Sequence, residues 1–536
     1  MYKNFIFKKK SISILHEYIA NNISFYFDFF KHRKLYKKIS SLIKDSPKFK
    51  SNESYLIDGH FYNFGYFFRL QLMRMATESY KGREIGYIWN YNQKECTAFL
   101  KYSGIKNIKK IPNKINNLII EKAKLLFEDL NCAEDILKIK LPNKVPSKHL
   151  YDYILKKQMA GKVNIKDKNL IFYIAQYIQS IEFAVELIKE IKPKMIFMSH
   201  PISVQCSPLC WIGSQNGIKV FTLFGQYGVP RYFKFEKPED IFIGIDRPMK
   251  KDLNKLNNSQ KNLLHDIGNK YIENRLSGTP LDDLSGKLAY NCKIKNISEI
   301  IKNKKNKPIV AVYASCWFDC PHIYGMDRFR DFQDWILTTF NEAVKNKNYI
   351  WLFRSHPADE WYGGTKLTDI LPKKLPNHIF ILPTEISGKS VFDISDGLIT
   401  YHGTAGIEFA AKGKPVLIAD KGWYHHANFT IFPISREEYI YFLSENWLSK
   451  INLKESSFNA KIFAGFYFCK PSWQKNFFIP DDFNKEKNKK MISFNIDNKQ
   501  NLINKEVSYM KKWIESDISG YHTYKMLNTD SYTFTN

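Results

Sequence analysis

Residues 402–408 read His402-Gly403-Thr404-Ala405-Gly406-Ile407-Glu408, and these types at this spacing suit one task, the holding of a phosphate. Gly403 and Gly406 bracket Thr404-Ala405, so no large side chain screens the amides of a turn that opens a helix. The first amides of a helix lack partners within it and sit at the positive end of its dipole. A phosphate binds well there. His402 and Thr404 add donors, and Glu408 falls in the first turns, placed to accept from two neighbouring hydroxyls such as those of a ribose. The plainer alternative is a strand-to-helix turn whose glycines serve packing alone. About fifty residues earlier stands Arg354-Ser355-His356-Pro357. Arg354 and His356 are charged or neutral donors for a phosphate leaving group, and Pro357 fixes the loop.

Short apolar runs must position both sets. Gly397 to Thr400 and Pro415 to Ala419 read as strands on either side of a helix that starts near Thr404 and stops at Gly413. Asn348 to Phe353 delivers Arg354 to its carboxyl end, and Pro308 to Ser315 and His378 to Leu382 are further strands. Apolar runs alternating with helical segments, such as Asp327 to Lys345, predict βαβ units and a parallel sheet.

The segment HGTAGIEFAAKGKPVLI, preceded by FRSHP (Phe353 to Pro357), resembles the donor half of bacterial surface-polysaccharide glycosyltransferases. In particular it resembles the capsule-synthesis group that includes the Kdo transferases of capsule export systems. More remotely it is similar to HP-motif sialyltransferases and polyglycerol-phosphate polymerases. The resemblance covers roughly Ile309 to Trp423; the N-terminal half matches only in layout. It implies an α/β, GT-B-like fold, with two Rossmann-like domains facing across a cleft, here with extra N-terminal helices. It also implies donor contacts from Arg354, Ser355, His356, His402, Gly403, Thr404, Ala405, Gly406 and Glu408. The loop after the first strand of the second domain would face the donor phosphates, so Ser315, Trp317, Asp319 and His322 are expected along the cleft. Thr384 lies where the resembled folds recognise the base.

A glycosyltransferase needs a base for the acceptor hydroxyl. Ser54 to Asp58 reads as the first strand of the N-terminal domain, and ligands in open α/β sheets bind beyond the carboxyl ends of strands. Asp58 or His60 is the candidate; the alternative is that Asp58 caps the next helix and His60 packs. A helix from Asn169 to Ile191 and a strand from Lys194 to Ser199 lead to His200, and a strand from Ile218 to Phe224 leads to a second glycine turn at Gly225-Gln226-Tyr227-Gly228. His200, Gln226 and Arg231 are thus acceptor-side cleft candidates, with a satisfied structural histidine the equal alternative for His200.

At 536 residues the chain exceeds one ordinary core. The expected division is 1–50, a basic aromatic helical segment; 51–245, an acceptor domain with a helical insertion over about 104–168; 246–307, a crossover; 308–485, the donor domain; and 486–536, a last helix and a polar tail. The net charge of +28 points to an anionic surface such as a membrane leaflet or acidic polysaccharide. Part of it reflects heavy use of Lys, Asn and Ile throughout. No nucleic-acid module is present, which sets that partner aside. Within 1–50, Ile12, Leu15, Ile19, Ile23, Tyr26 and Phe30 run near helical spacing, on an anionic membrane or packed onto the first domain. The eight cysteines include no CxxC pair and read as reduced thiols of a cytosolic protein. No pure apolar stretch of membrane-spanning length, signal peptide or solenoid repeat is read. No metal site is expected, including at Asp481-Asp482 or the adjacent His425 and His426, and no cofactor beyond a CMP-, CDP- or UDP-linked sugar as substrate. The function implied is transfer of that sugar to a growing capsule or lipopolysaccharide glycan. Alternatives are a CDP-polyol transferase, a GT-B-fold sugar-nucleotide 2-epimerase, or a non-catalytic polysaccharide-binding protein.

Overall fold

The computed structural model describes residues 33–43, 51–60, 64–89, 93–226, 229–243, 245–278, 297, 307–357, 359, 363–383, 386–474, 485–529 and 532–533. Eleven of its strands, most of them apolar runs alternating with helices, sort into two sheets. The first holds β1 (Ser54–Asp58), β2 (Arg83–Ile88), β3 (Asn107–Lys110), β4 (Met195–Met198), β5 (Lys219–Gln226) and β6 (Val229–Phe235), in the order β3-β2-β1-β4-β5-β6. Its first five strands are parallel, and β6 turns back antiparallel on β5. The second holds β7 (Ile309–Tyr313), β8 (Ile350–Arg354), β9 (Ile379–Leu382), β10 (Gly397–Thr400) and β11 (Val416–Ile418), all parallel, in the order β11-β10-β7-β8-β9. β1, β4 and β10 are buried along their whole length, which is why they read as continuous apolar runs rather than alternating ones. In each sheet the first strand in the chain is central and its successors run off on both sides, leaving a crevice at the carboxyl ends.

Several elements differ from the sequence reading. Residues 104–168 contain an edge strand, β3, besides helices; its two lysines hid its pairing with β2. The expected second glycine turn is the hairpin joining β5 to β6. The helix expected from Asp327 begins at Phe332, because the Asp331 side chain caps it by accepting from the Asp334 amide. The crossover contains a 19-residue helix, Asn258–Leu276, opened by a capping box between Asn257 and Gln260. The expected polar tail forms a helix, Tyr521–Leu527, and β13 (Tyr532–Thr533), which pairs with β12 (Lys470–Pro471). The helix Leu170–Ile191 is long and apolar enough to cross a membrane, against expectation, but 56% of its most apolar window is buried in the N-terminal domain.

The chain ties its domains together more than once. The crossover helix packs along the helix Leu453–Phe468 with Gly268 facing Gly465, so closely that a Cβ on Gly268 would lie 1.9 Å from the Lys461 carbonyl oxygen. The helix Gln500–Glu515 then returns to the first domain, where Trp513 meets Phe221 at 5.7 Å between ring centroids. Residues 33–40 form a helix on the same layer, with Ile39 fully buried and Tyr36 against Phe67. The apolar stripe from Ile12 to Phe30 lies outside the described residues. Directly across the domains, Asp152 of the helix Ser147–Gln158 accepts from the His322 and Ile323 amides and the His322 ring, and the Tyr151 hydroxyl donates to Asp331 at 2.6 Å.

Candidate active site

One rung of the second sheet sets the geometry. Ile418 pairs with Thr400, Thr400 with Tyr313, Tyr313 with Arg354, and Arg354 with Leu382. The loops after β7, β8, β9, β10 and β11 therefore leave from one level. Ser355, His356, His402, Gly403 and Thr404 stand half-buried on that rim. The Gly403 amide donates to Thr400 Oγ1 at 3.2 Å, and the Gly403 carbonyl accepts from Gly406 N at 2.9 Å and the Tyr424 hydroxyl at 2.6 Å. The helix Ala405–Ala411 follows, and among the described residues the amides of Thr404 and Ala405 have no hydrogen-bond partner. Gly406 has a packing reason as well, since a Cβ there would sit 2.2 Å from the Tyr424 hydroxyl. Arg354 turns inward: it is 4% exposed, its Nη2 donates to the Ile386 carbonyl at 3.2 Å, and its guanidinium lies over the Tyr313 ring. Burial pushes the His402 imidazole down to about 4, so the ring is neutral at pH 7.

Glu408 is placed differently from the ribose-binding position read in the sequence. It is 2% exposed and ion-paired with Arg275 Nε of the crossover helix. That pair ties the helix of the glycine turn to the crossover.

At the first sheet Asp58 is fully buried. It accepts from the His60 amide at 2.9 Å, the Ser199 amide at 3.0 Å, the His60 Nδ1 and the Ser199 hydroxyl. Burial alone would raise its carboxyl, but His60 and Ser199 outweigh it and hold the group below the ordinary carboxylate range. The His60 Nε2 accepts from the Trp89 amide at 2.5 Å, so both ring nitrogens are used. Cys206 brings a thiol to the same cluster, with the three ligating atoms within 4.8 Å, but burial holds that thiol protonated and the carboxylate is spent on Ser199 and His60. The cluster joins the carboxyl ends of β1, β2 and β4. It does not present an open base.

The remaining candidates scatter. His200 is 8% exposed, its Nδ1 accepts from the Ile202 amide at 3.2 Å, and burial beside Lys156 pushes its ring down to about 3. Gln226 ends β5, paired with Val229. Arg231 is fully buried in β6, with Nη1 donating to the Asp246 carbonyl, Nη2 to that of Tyr467, and the guanidinium 3.8 Å over the Tyr467 ring. It braces the domain junction instead of lining the cleft. His322 is likewise taken by Asp152, and Trp317 is fully buried. Ser315 is half-buried and Asp319 exposed at the loop after β7. Thr384 lies outside the described residues.

One carboxyl escaped the sequence reading. Asp359 follows the His-Pro step; its amide donates to the His356 carbonyl at 3.0 Å and, among the described residues, its buried Oδ2 has no hydrogen-bond partner. Burial pushes its ionisation up to about 7. The signal available was its place two residues after Pro357, but a lone surface-type aspartate carries no burial in its sequence.

No protein-family model and no curated protein sequence matches the chain. Solved structures do. Thermosulfurimonas dismutans KpsC, a beta Kdo 2,4 transferase, is similar at 11% identity over 51% of this chain and 79% of that one, with a TM-score of 0.32. An S. aureus MnaA–UDP structure is similar at 12% identity over 84% of this chain and 98% of that one, with a TM-score of 0.27. The spinosyn rhamnosyltransferase SpnG with thymidine diphosphate is similar at 9% identity over 77% and 95%, with a TM-score of 0.24. Likenesses with TM-scores this low carry no argument, and the fold stands on its own strands. Two Rossmann-like domains, each with its crevice at the carboxyl ends, and a C-terminal return to the first domain are present. The architecture is GT-B.

Proposed function

We propose that this protein is a glycosyltransferase that moves a sugar from a nucleotide-activated donor to a growing cell-surface glycan, acting at the inner face of the cytoplasmic membrane. The observation that carries the reading is the shared rung of Thr400, Tyr313 and Arg354, which puts the His356 loop and the Gly403 turn on one rim. The unpartnered amides of Thr404 and Ala405 hold the donor phosphate, and His356 meets the leaving nucleotide beside them. Fixed donors of this kind stabilise the charge of a departing phosphate without needing a metal ion. The proton of the acceptor hydroxyl goes to Asp359, whose near-neutral ionisation and unpartnered oxygen meet what a general base requires. Asp58 and His60, with their bonds internally spent, serve the frame.

The test is a melting-temperature screen against CMP, CDP, UDP, GDP and dTDP, with His356→Ala alongside. One nucleotide raises the melting temperature of the native protein, and the shift disappears in the variant. A ligand at a hundred times its Kd stabilises by about 2.7 kcal/mol, well within reach of the method. Silence toward every nucleotide at millimolar concentration removes the reading. Turnover of a nucleotide sugar with no acceptor present replaces it with a 2-epimerase.

A further inference from the structure

Arg247 lies in the linker where the chain leaves the first domain, next to loops that leave the second sheet after β10 and β11. Its Nε is shut off from solvent, and among the described residues its guanidinium has no hydrogen bond and no ion pair. Burial lowers its ionisation to about 10. The neighbouring carboxylate, Asp246, does not serve it: that group accepts from the amides of His522 and Thr523 and from the Thr523 hydroxyl.

A second cation stands nearby. Arg328 keeps Nη1 buried without a partner, while its guanidinium lies 4.5 Å over the Phe432 ring and its Nε is 3.6 Å from Asp420. Asp420 is fully buried and its charge is already shared among the amides of Asp327, Arg328 and Lys421 and the Tyr401 hydroxyl. His425 donates to the Gly422 carbonyl at 2.5 Å and feels the charge of Arg247, Lys421 and Arg328. Its ring is 5.0 Å from Phe432 and 5.2 Å from His426, and His426 Nε2 donates to the carbonyl of Pro248, next to Arg247. His402 and His426 also feel the Arg247 charge, and burial keeps both neutral, so they supply no counter-charge.

Both arginines are half-buried, and each has one guanidinium nitrogen shut off from solvent and unpartnered among the described residues, where an unmade hydrogen bond costs desolvation. Guanidinium forks match the oxygens of phosphate. We infer that Arg247 and Arg328 form a recognition site for a phosphoryl oxyanion at the junction of the two domains, beside but distinct from the amides of the Gly403 turn. The phosphoryl group comes either from the diphosphate of a nucleotide donor or from a phosphate carried by the acceptor. The inference stands apart from the transferase reading.

The experiment uses the full chain with pyrophosphate and inorganic phosphate as probes, and CMP and UDP as separate arms, read by melting temperature and calorimetry. Pyrophosphate or phosphate stabilises the native protein, and Arg247→Met weakens that binding by at least about tenfold, the scale of one charge-assisted pair. The ligand-free Arg247→Met protein melts no lower than the native one, because it no longer desolvates one side of an unpaired charge. A bracing arginine would show the reverse. If Arg247→Met does not fold, Arg328→Gln carries the same test. A nucleotide response lost together with the pyrophosphate response assigns the phosphate to the donor; one that survives Arg247→Met assigns it to the acceptor. A pyrophosphate response unchanged in these variants, or native protein indifferent to both inorganic probes, overturns the inference. Nucleotide binding that needs His356 but not Arg247, in a protein indifferent to pyrophosphate, overturns it while leaving the transferase reading in place. Pyrophosphate binding that needs Arg247, in a protein indifferent to nucleotides, does the opposite.

Discussion

Arg275 and Glu408 are 133 residues apart and almost wholly enclosed, at 3% and 2% side-chain exposure. Removing one partner takes a buried counter-charge from the other, whereas removing both does not. Arg275→Met is therefore expected to cost about 3–5 kcal/mol in urea unfolding, and Arg275→Met with Glu408→Gln distinctly less. Equal losses in the two variants would mean that the pair is not what holds these helices. Asp58 belongs to the same scale. Its carboxylate gathers donors from His60 and Ser199, so Asp58→Asn is expected to destabilise by about 3 kcal/mol while the folded fraction still binds nucleotide. Asp359→Asn is expected to fold normally and lose turnover, by about 100-fold or more if it removes a general base. Turnover by Asp359→Asn close to that of the native protein would return the search for the base to its start. Glu408 and Asp58 were both visible in the sequence as candidates, but the roles read for them required open faces. Burial decided otherwise, because each lies where chain segments distant in sequence supply its partners.

Gly268 and Gly465 show what happens between elements. Each lacks a Cβ where the opposing helix backbone approaches, and an added Cβ would lie 1.9 Å and 2.0 Å from the Lys461 and Leu264 carbonyl oxygens. Gly268→Ala must separate the two helices and is expected to cost at least about 3 kcal/mol, by analogy with overpacked cores. Gly413, at φ +73° with no atom near its would-be Cβ, is a contrasting control, and Gly413→Ala is expected to cost about 1 kcal/mol for the left-handed backbone alone. Chemical denaturation of the two variants side by side checks the difference. The helices with clear apolar periods were legible, such as Leu170–Ile191 and the later part of Asp327 to Lys345. The crossover reads as carrying a few surface helices, but the length and packing of Asn258–Leu276 were not legible, because its polar residues overwhelm its apolar stripe; the capping pair Asn257 and Gln260 was the available signal. β6 was hidden for a different reason: whether a glycine turn ends a strand or folds it back is settled by the sheet edge it finds.

Across the whole molecule, histidines lie buried or half-buried on both sides of the junction. Burial pushes His149 and His200 down to about 3, and His402 and His426 down to about 4, from an ordinary value of 6.5. The unfolded chain therefore takes up protons below pH 6.5 that the folded protein refuses. The stability these groups contribute is full above that value and is lost as pH falls toward 4. For His149 and His200, exposed by 2% and 8%, each group costs about 2 kcal/mol at pH 5. Urea midpoints measured from pH 7 to pH 4 are expected to drop across this window, and less steeply in His149→Gln. A midpoint independent of pH between 6.5 and 4.5 would mean that these rings are not enclosed in solution.

Local chemistry written along the chain determined the alternation of apolar runs and helices, the two parallel sheets and the phosphate-suited turn at Gly403. Such features depend on periodicity and on glycine and proline at fixed offsets, and neighbours in sequence are enough to specify them. Tertiary structure alone decided that Thr400, Tyr313 and Arg354 share a rung, that Glu408 answers to Arg275, and that the Arg247 Nε is shut off with no partner among the described residues. These depend on which segments meet across a hundred residues or more, and on how much water each meeting excludes. Burial and pairing set the charge and reach of a side chain, and neither is written in its own neighbourhood of the sequence.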